Sequence, residues 1–271
     1  MFSSRSRHHA GGSFAKHRIG KDSTKQKRSF KETASAAARF EKEVASSPST
    51  AQASPSLTSA IITLSVGPSQ RLFAAHEDVL CHSPFFQTAC RARFFDTSAK
   101  RINLPDDEPE VFSSVLEYLY KGDYYPRLEH NRRRNTWQLE DANNCNHGAA
   151  ESTVYMSCVG VPVLKDTAIY CTAERYGLDE LKRLALRKQG LQSGIQCSTI
   201  LASARFAYAN TPDSDSKLRA HYLALIIRSR HTFKRSGTMQ NEVEAGGKMF
   251  FDLFVAMVNH MDDITSSKSP H

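Results

Sequence analysis

Residues 60–76 constrain the fold more than any other stretch. Ala60–Val66 (AIITLSV) is rich in β-branched side chains, Gly67-Pro68-Ser69-Gln70 carries turn residues, and Arg71–His76 (RLFAAH) returns as a second strand. Two such runs joined by a short turn predict a β-hairpin. The period then changes. Glu77–Cys81 reads as a short helix. Ser83-Pro84 supplies an N-cap and a proline at the first helical position, with Phe85, Phe86, Ala89 and Cys90 on one face behind it. Arg101–Leu104 is a third short strand. Asp107 stands three residues before Glu110, the spacing of a capping box. Val111, Phe112, Val115, Leu116, Leu119 and Tyr120 then recur with helical period up to Gly122, a stop signal. Strands first and helices after them predict an α+β fold.

Residues 123–161 lose this periodicity, and Arg132-Arg133-Arg134, Asn143-Asn144 and Gly148 mark them as an inserted loop, with Thr153–Val159 a strand candidate inside it. Helical pattern resumes at about Val163. Ala168, Ile169, Ala173 and Tyr176 share a face and Gly177 punctuates. Leu178, Leu181, Leu184 and Ala185 form the next helix, ending near Gly190. Three more helices are expected at about 193–209, 214–231 and 246–261, with a turn at Asn210-Thr211-Pro212-Asp213. The last helix carries Phe250, Leu253, Phe254, Met257, Val258 and Met261 on a broad apolar stripe. The simplest reading makes this stripe core; the sharper one makes it an exposed groove for a partner.

The charge sits at one end. Residues 1–48 hold eleven Lys and Arg against four acids, a net +7 of the chain's +8. The segment 1–56 has few apolar residues to bury and is expected to be a disordered basic tail and linker. Thr33–Val44 could form a short helix on binding. Lys16-His17-Arg18 and Lys25-Gln26-Lys27-Arg28 loosely resemble a bipartite import signal, and the first 21 residues, Arg/Ser-rich without acids, overlap in composition with transit peptides. A solvated tail and a nucleic-acid contact through residues 1–48 are the other readings.

Several function classes are excluded. Apolar runs such as Met249–Phe251 and Leu253–Val258 are too short for a membrane span of about 20 residues. The six cysteines form no CxxC pair and no secretory signal accompanies them, so a reducing compartment, nucleus or cytoplasm, is expected. Cys145, His147 and Cys158, with His130 nearby, lack the four-ligand spacing of a structural zinc site. Arg132-Arg133-Arg134 followed by Trp137 sets cations beside an aromatic, but Glu129, Glu140 and Asp141 lie close, which favours a solvated loop. There is no phosphate-binding glycine loop and no nucleophile elbow. No catalytic, metal or cofactor-binding residue is assigned, and the protein is expected not to be an enzyme.

Arg71–Tyr124 resembles a BTB/POZ domain of the kind abundant in fungi. The matching pieces are Phe73-Ala74-Ala75-His76, Val79-Leu80, Ser83-Pro84-Phe85-Phe86, Ile102-Asn103-Leu104, Asp106–Phe112 and Tyr118–Tyr124. Beyond the insertion, Ala168-Ile169-Tyr170 and Ala173–Leu178 match the family's later helices. Asn210–Asp215 with Leu218-Arg219 resembles a helical extension. The resemblance covers about residues 57–262. It implies a small, mostly three-stranded sheet flanked by an α-helical cluster in residues 57–189, with the inserted loop at about 123–161. A helical extension over 190–262 and a disordered tail over 263–271 complete the expectation.

The resemblance also implies a protein-protein interaction module, scaffold or adaptor, linked in some members to cullin ubiquitin ligases and in others to transcription complexes. It draws the interaction surface from Ala60, His76, Glu77, Phe85, Phe86, Phe112, Tyr118 and Tyr120, and gives His76 a structural place where strand meets helix. Two departures matter. Many dimerising members have an acid and a base where Ala60 and Glu77 stand here, so a monomer or weak homodimer is expected. The hydrophobic-x-acid motif of cullin-binding members falls on Phe112-Ser113-Ser114 and lacks the acid, so cullin binding is expected to be weak or absent.

Overall fold

The computed structural model describes residues 59–92, 101–133, 135–140 and 152–267, all within the unit spanning Ala53–His271. The readings made for residues 1–56 lie outside the described residues.

Strand β1 (Ile61–Val66) pairs antiparallel with β2 (Arg71–His76), from Ile61 opposite His76 to Val66 opposite Arg71. The turn needs Gly67, whose φ is 74° and where an added Cβ would stand 3.0 Å from the Pro109 ring. The short helix α1 (Glu77–Leu80) and the longer α2 (Pro84–Ala92) follow. Strand β3 (Arg101–Leu104) then pairs parallel with β1, giving a mixed sheet of order β2-β1-β3. Alternation sorts its side chains: Ile62, Leu64, Val66, Ile102 and Leu104 are buried against helices, while Ile61, Leu72, Ala74, Arg101 and Asn103 are exposed.

Helix α3 (Pro109–Lys121) starts with Pro109 in its first turn and ends at Gly122, whose left-handed φ of 75° lets its N–H return to the Tyr118 carbonyl at 2.7 Å. Its buried face carries Val111, Phe112 and Val115. The expected capping box is not formed. The residue preceding the helix is Glu108, without a side-chain cap, and Asp107 is turned into the core.

The insertion is not an irregular loop. It forms two hairpins, β4 (Leu128–Asn131) with β5 (Thr136–Leu139), and β6 (Thr153–Met156) with β7 (Val161–Leu164). Leu139, Val154 and Met156 are buried, and Val154 and Met156 belong to the main core. Strand β6 falls within the strand candidate Thr153–Val159; the other three have four residues each, too few for alternation to register in the sequence.

Helix α4 (Lys165–Tyr176) is the central post, with every residue from Asp166 to Ala173 buried. Helix α5 (Asp179–Gln189) packs on it, and α6 (Cys197–Asn210) packs on β7. Helices α7 (Lys217–Arg228), α8 (Arg230–Phe233), α9 (Gly237–Ala245) and α10 (Lys248–Ser267) complete the chain. Helix α9 was not expected, since it buries no residue and so has no stripe to read. Helix α10 runs five residues past 262, where a disordered tail was expected. Its stripe is not core either. Leu253 is buried, but Phe254, Met257 and Met261 are exposed.

Candidate protein-interaction surface

The junction of β2 and α1 is held by four hydrogen bonds. The Glu77 N–H donates to the Ala60 carbonyl at 2.9 Å, and Ser59 Oγ donates to Asp78 Oδ1 at 2.7 Å. The His76 N–H donates to the Tyr120 hydroxyl at 2.9 Å, while His76 Nδ1 lies 2.7 Å from the same oxygen. His76 therefore straps α3 to the sheet. Its ring is occupied by the Tyr120 phenol.

An aromatic column runs behind this strap. Phe73 meets Phe112 edge-on at 5.1 Å, Phe112 meets Phe86 at 6.3 Å, and Phe86 meets Tyr176 at 4.8 Å. Phe86 and Phe112 have 0% of their surface exposed. They are removed from the interaction surface expected of them, because each fills the gap between the sheet and α4. Phe85 stacks on Tyr176 at 5.0 Å yet keeps 40% of its surface in solvent. Tyr120 is also exposed, whereas Ala60, His76, Glu77 and Tyr118 are half-buried. Burial pushes the Tyr118 hydroxyl pKa up.

The column closes onto α4 through polar bonds. Ser83 Oγ donates to the Tyr176 carbonyl at 2.6 Å, and Pro84 lies against Gly177 so closely that a Cβ there would stand 3.2 Å from the proline ring. The buried Asp107 carboxylate accepts from the Tyr176 hydroxyl at 2.7 Å and pairs with Arg175. Burial drives the Tyr176 hydroxyl far above the usual phenol range, and the Asp107 charge adds to it. A buried carboxylate is tolerable only when bonded in this way.

Two exposed side chains escaped the sequence reading. Ile61 and Leu72 each expose 60% of their surface on the outer face of the sheet. The signal was present, since strand alternation places them opposite the buried Ile62 and Leu64. Elsewhere, a cleft of about 430 Å³ opens between β2, α3 and β6, lined by Arg71, Glu110, Ser113, Ser114, Tyr125 and Lys165 among others. Ser114 turns its hydroxyl back to the Glu110 carbonyl at 3.2 Å, so it offers the cleft no charge.

The described residues of the insertion assemble no metal site. The His130 ring bonds Asn135 at 3.1 Å, and Cys158 is exposed. Cys145, His147 and Arg134 lie outside the described residues. Among the described residues no three His, Cys, Asp or Glu converge as metal ligands, and no helix is long and apolar enough to cross a membrane. Trp137 meets His130 at 4.8 Å and Arg187 of α5 at 5.4 Å.

Residues 60–133 match the family model of the BTB/POZ domain. The chain carries a BTB/POZ domain. The match accounts for the sheet, α1 to α3 and strand β4. The core of the BTB/POZ domain reaches further, into Tyr170, Tyr176 and Leu181 of α4 and α5. No curated protein matches the chain. BTB/POZ domains are protein-protein interaction modules, and that general role fits the geometry: apolar and aromatic side chains held at a surface by a bonded scaffold.

Proposed function

We propose that the protein is a non-enzymatic adaptor or scaffold whose BTB/POZ domain binds a protein partner through Ile61, His76 and Tyr120, with Phe85 and Leu72 further out. The observation that carries this reading is the exposure of Ile61 and Tyr120 beside the His76–Tyr120 strap. Rigid aromatic and aliphatic anchors at a surface give protein interfaces most of their energy. Quantitative affinity capture with the wild type, Ile61→Arg and Tyr120→Lys tests it. Loss of the same partner in both variants, each folded at wild-type melting temperature, supports the surface. A partner kept by both removes it.

Within this reading the adaptor works without the hydrophobic-x-acid motif. Phe112 fills the core and Ser114 replaces the acid, so titration of a purified cullin N-terminal region is expected to give weak binding or none. A transcription complex is the other assembly such an adaptor would serve, in the nucleus or cytoplasm. The second reading, nucleic-acid binding, rests on the net +7 of residues 1–48. It requires an affinity that falls steeply with salt and disappears when those residues are deleted.

A further inference from the structure

Helix α10 is apolar on two opposite faces. Met249 and Leu253 turn inward, and Leu253 packs with Leu201, Ile226 and Phe233. On the other side Phe251 is 68% exposed, Phe254 66%, Met261 55%, Met257 42% and Val255 40%. From Phe254 to Ser266 no residue is buried. A helix that is apolar all round is normally covered all round, and one of about a dozen residues standing alone in water is marginal. A contiguous apolar patch of this kind marks an interaction site.

Charge identifies what covers it. Helix α10 carries exposed Asp262 and Asp263 towards its end and no basic residue in its last turn. The corner between α7 and α8 carries Arg228, Arg230, Lys234 and Arg235, all exposed. None of these four pairs with a carboxylate among the described residues. The same corner supplies Phe233, which packs on Leu253 and so fixes the cations beside the first half of α10. One chain thus carries an uncovered apolar stripe with an uncompensated acid pair near one end and an uncompensated basic corner near the other.

We propose that α10 is a self-association element. Two copies pair their exposed α10 faces antiparallel, about a two-fold axis between Met257 and Val258. In this register Phe254 of each copy faces Met261 of the other, and Met257 faces Val258. Asp262 of each copy comes level with Leu253 of the other, which shares a buried cluster with Phe233, the residue between Arg230 and Lys234 in the basic corner. A parallel pair would instead set the acids against each other and leave both basic corners unmatched. The interface is isologous, so each charge match occurs twice. It lies outside residues 60–133 and does not depend on the partner surface proposed above. Only a handful of large side chains per copy are covered, so the dimer is modest and exchanges readily.

Sedimentation velocity on the full chain across micromolar concentrations tests this with three variants: Phe254→Glu, Asp262→Arg with Asp263→Arg, and Arg230→Glu with Lys234→Glu and Arg235→Glu. The wild type is expected to dimerise, and each variant to dimerise at least about tenfold more weakly. Mixing the two charge-reversed proteins should restore the dimer, because both contacts of the mixed pair are then complementary. A wild type that stays monomeric overturns the proposal, as does a dimer indifferent to Phe254→Glu. Failure of the mixed proteins to recover, with each still folded by circular dichroism, overturns the antiparallel register.

Discussion

The body up to residue 190 and the helices after it treat their awkward groups differently. In the first, charges that enter the core are fully engaged. Asp107 is held by Arg175 and Tyr176, and Asp166 by Tyr124 and Gln192. Lys188, with no exposed surface, donates to Asp123 and to the carbonyls of Tyr124 and Pro126. In the second, Met249 in the main core and the small cluster of Leu201, Ile226, Phe233 and Leu253 hold the first half of α10, and five large apolar side chains remain outside. Apolar periodicity therefore tells which residues need cover. It does not tell whether the same chain provides it.

The largest effect should come from the buried cation. Lys188→Met strips three acceptors of their donor and should cost about 3–5 kcal/mol in urea unfolding, since breaking a buried pair leaves its partner uncompensated. A loss near zero would mean that water enters this region and that the contrast with the extension is overdrawn. Next comes the insertion. Met156→Ala should cost about 2–4 kcal/mol, the range of a buried methionine truncation, and replacing residues 127–158 by a short linker should lower the melting temperature further. Tolerance of both would return the hairpins to the status of a loop.

A smaller effect is expected at the strap. Tyr120→Phe removes a hydroxyl that bonds the His76 backbone and ring, for about 1 kcal/mol. Phe254→Ser, measured at a dilution where copies are apart, should change stability by no more than about 0.5 kcal/mol. A loss as large as that of Met156→Ala would break the comparison, for Phe254 would then be core. The smallest effect is electrostatic. Bonds from Lys248, then Arg219, hold the exposed Asp213 carboxyl down at about 2, below its ordinary 3.8. Its folded value is the lower one, so its contribution is complete above 3.8 and fades as pH falls towards 2. The small stability difference between wild type and Asp213→Asn should follow that window.

Much of the domain was legible because its signals are local. The hairpin at 60–76, the proline-led start at Pro84, and the glycine stops at Gly122 and Gly177 each rest on a few neighbouring residues. What failed was non-local. Asp107 and Glu110 have the spacing of a capping box, yet Asp107 turns towards Tyr176, 69 residues away. Phe86 and Phe112 looked like contact residues because their motifs are family motifs, and motif membership does not separate packing from binding. In the insertion only β6 was legible, as the strand candidate Thr153–Val159, because β4, β5 and β7 are too short to alternate visibly. At the surface, Ile61 and Leu72 were readable from strand period alone and were overlooked.

The bond from Ser83 to the Tyr176 carbonyl joins positions 93 residues apart in sequence. Its consequence is temporal. A ribosome that has finished the matched segment at residue 133 has made a sheet and three helices whose aromatic column still lacks its last ring. Leu64, Phe86 and Phe112 wait, uncovered, until α4 emerges. Such an intermediate offers sticky surface to chaperones, and pairing across so long a separation is slow. A shortened version cut at residue 133 should therefore aggregate, and one cut near residue 190 should still leave open the part of the core that Ala204, Phe206, Ala207, Leu218 and Tyr222 cover.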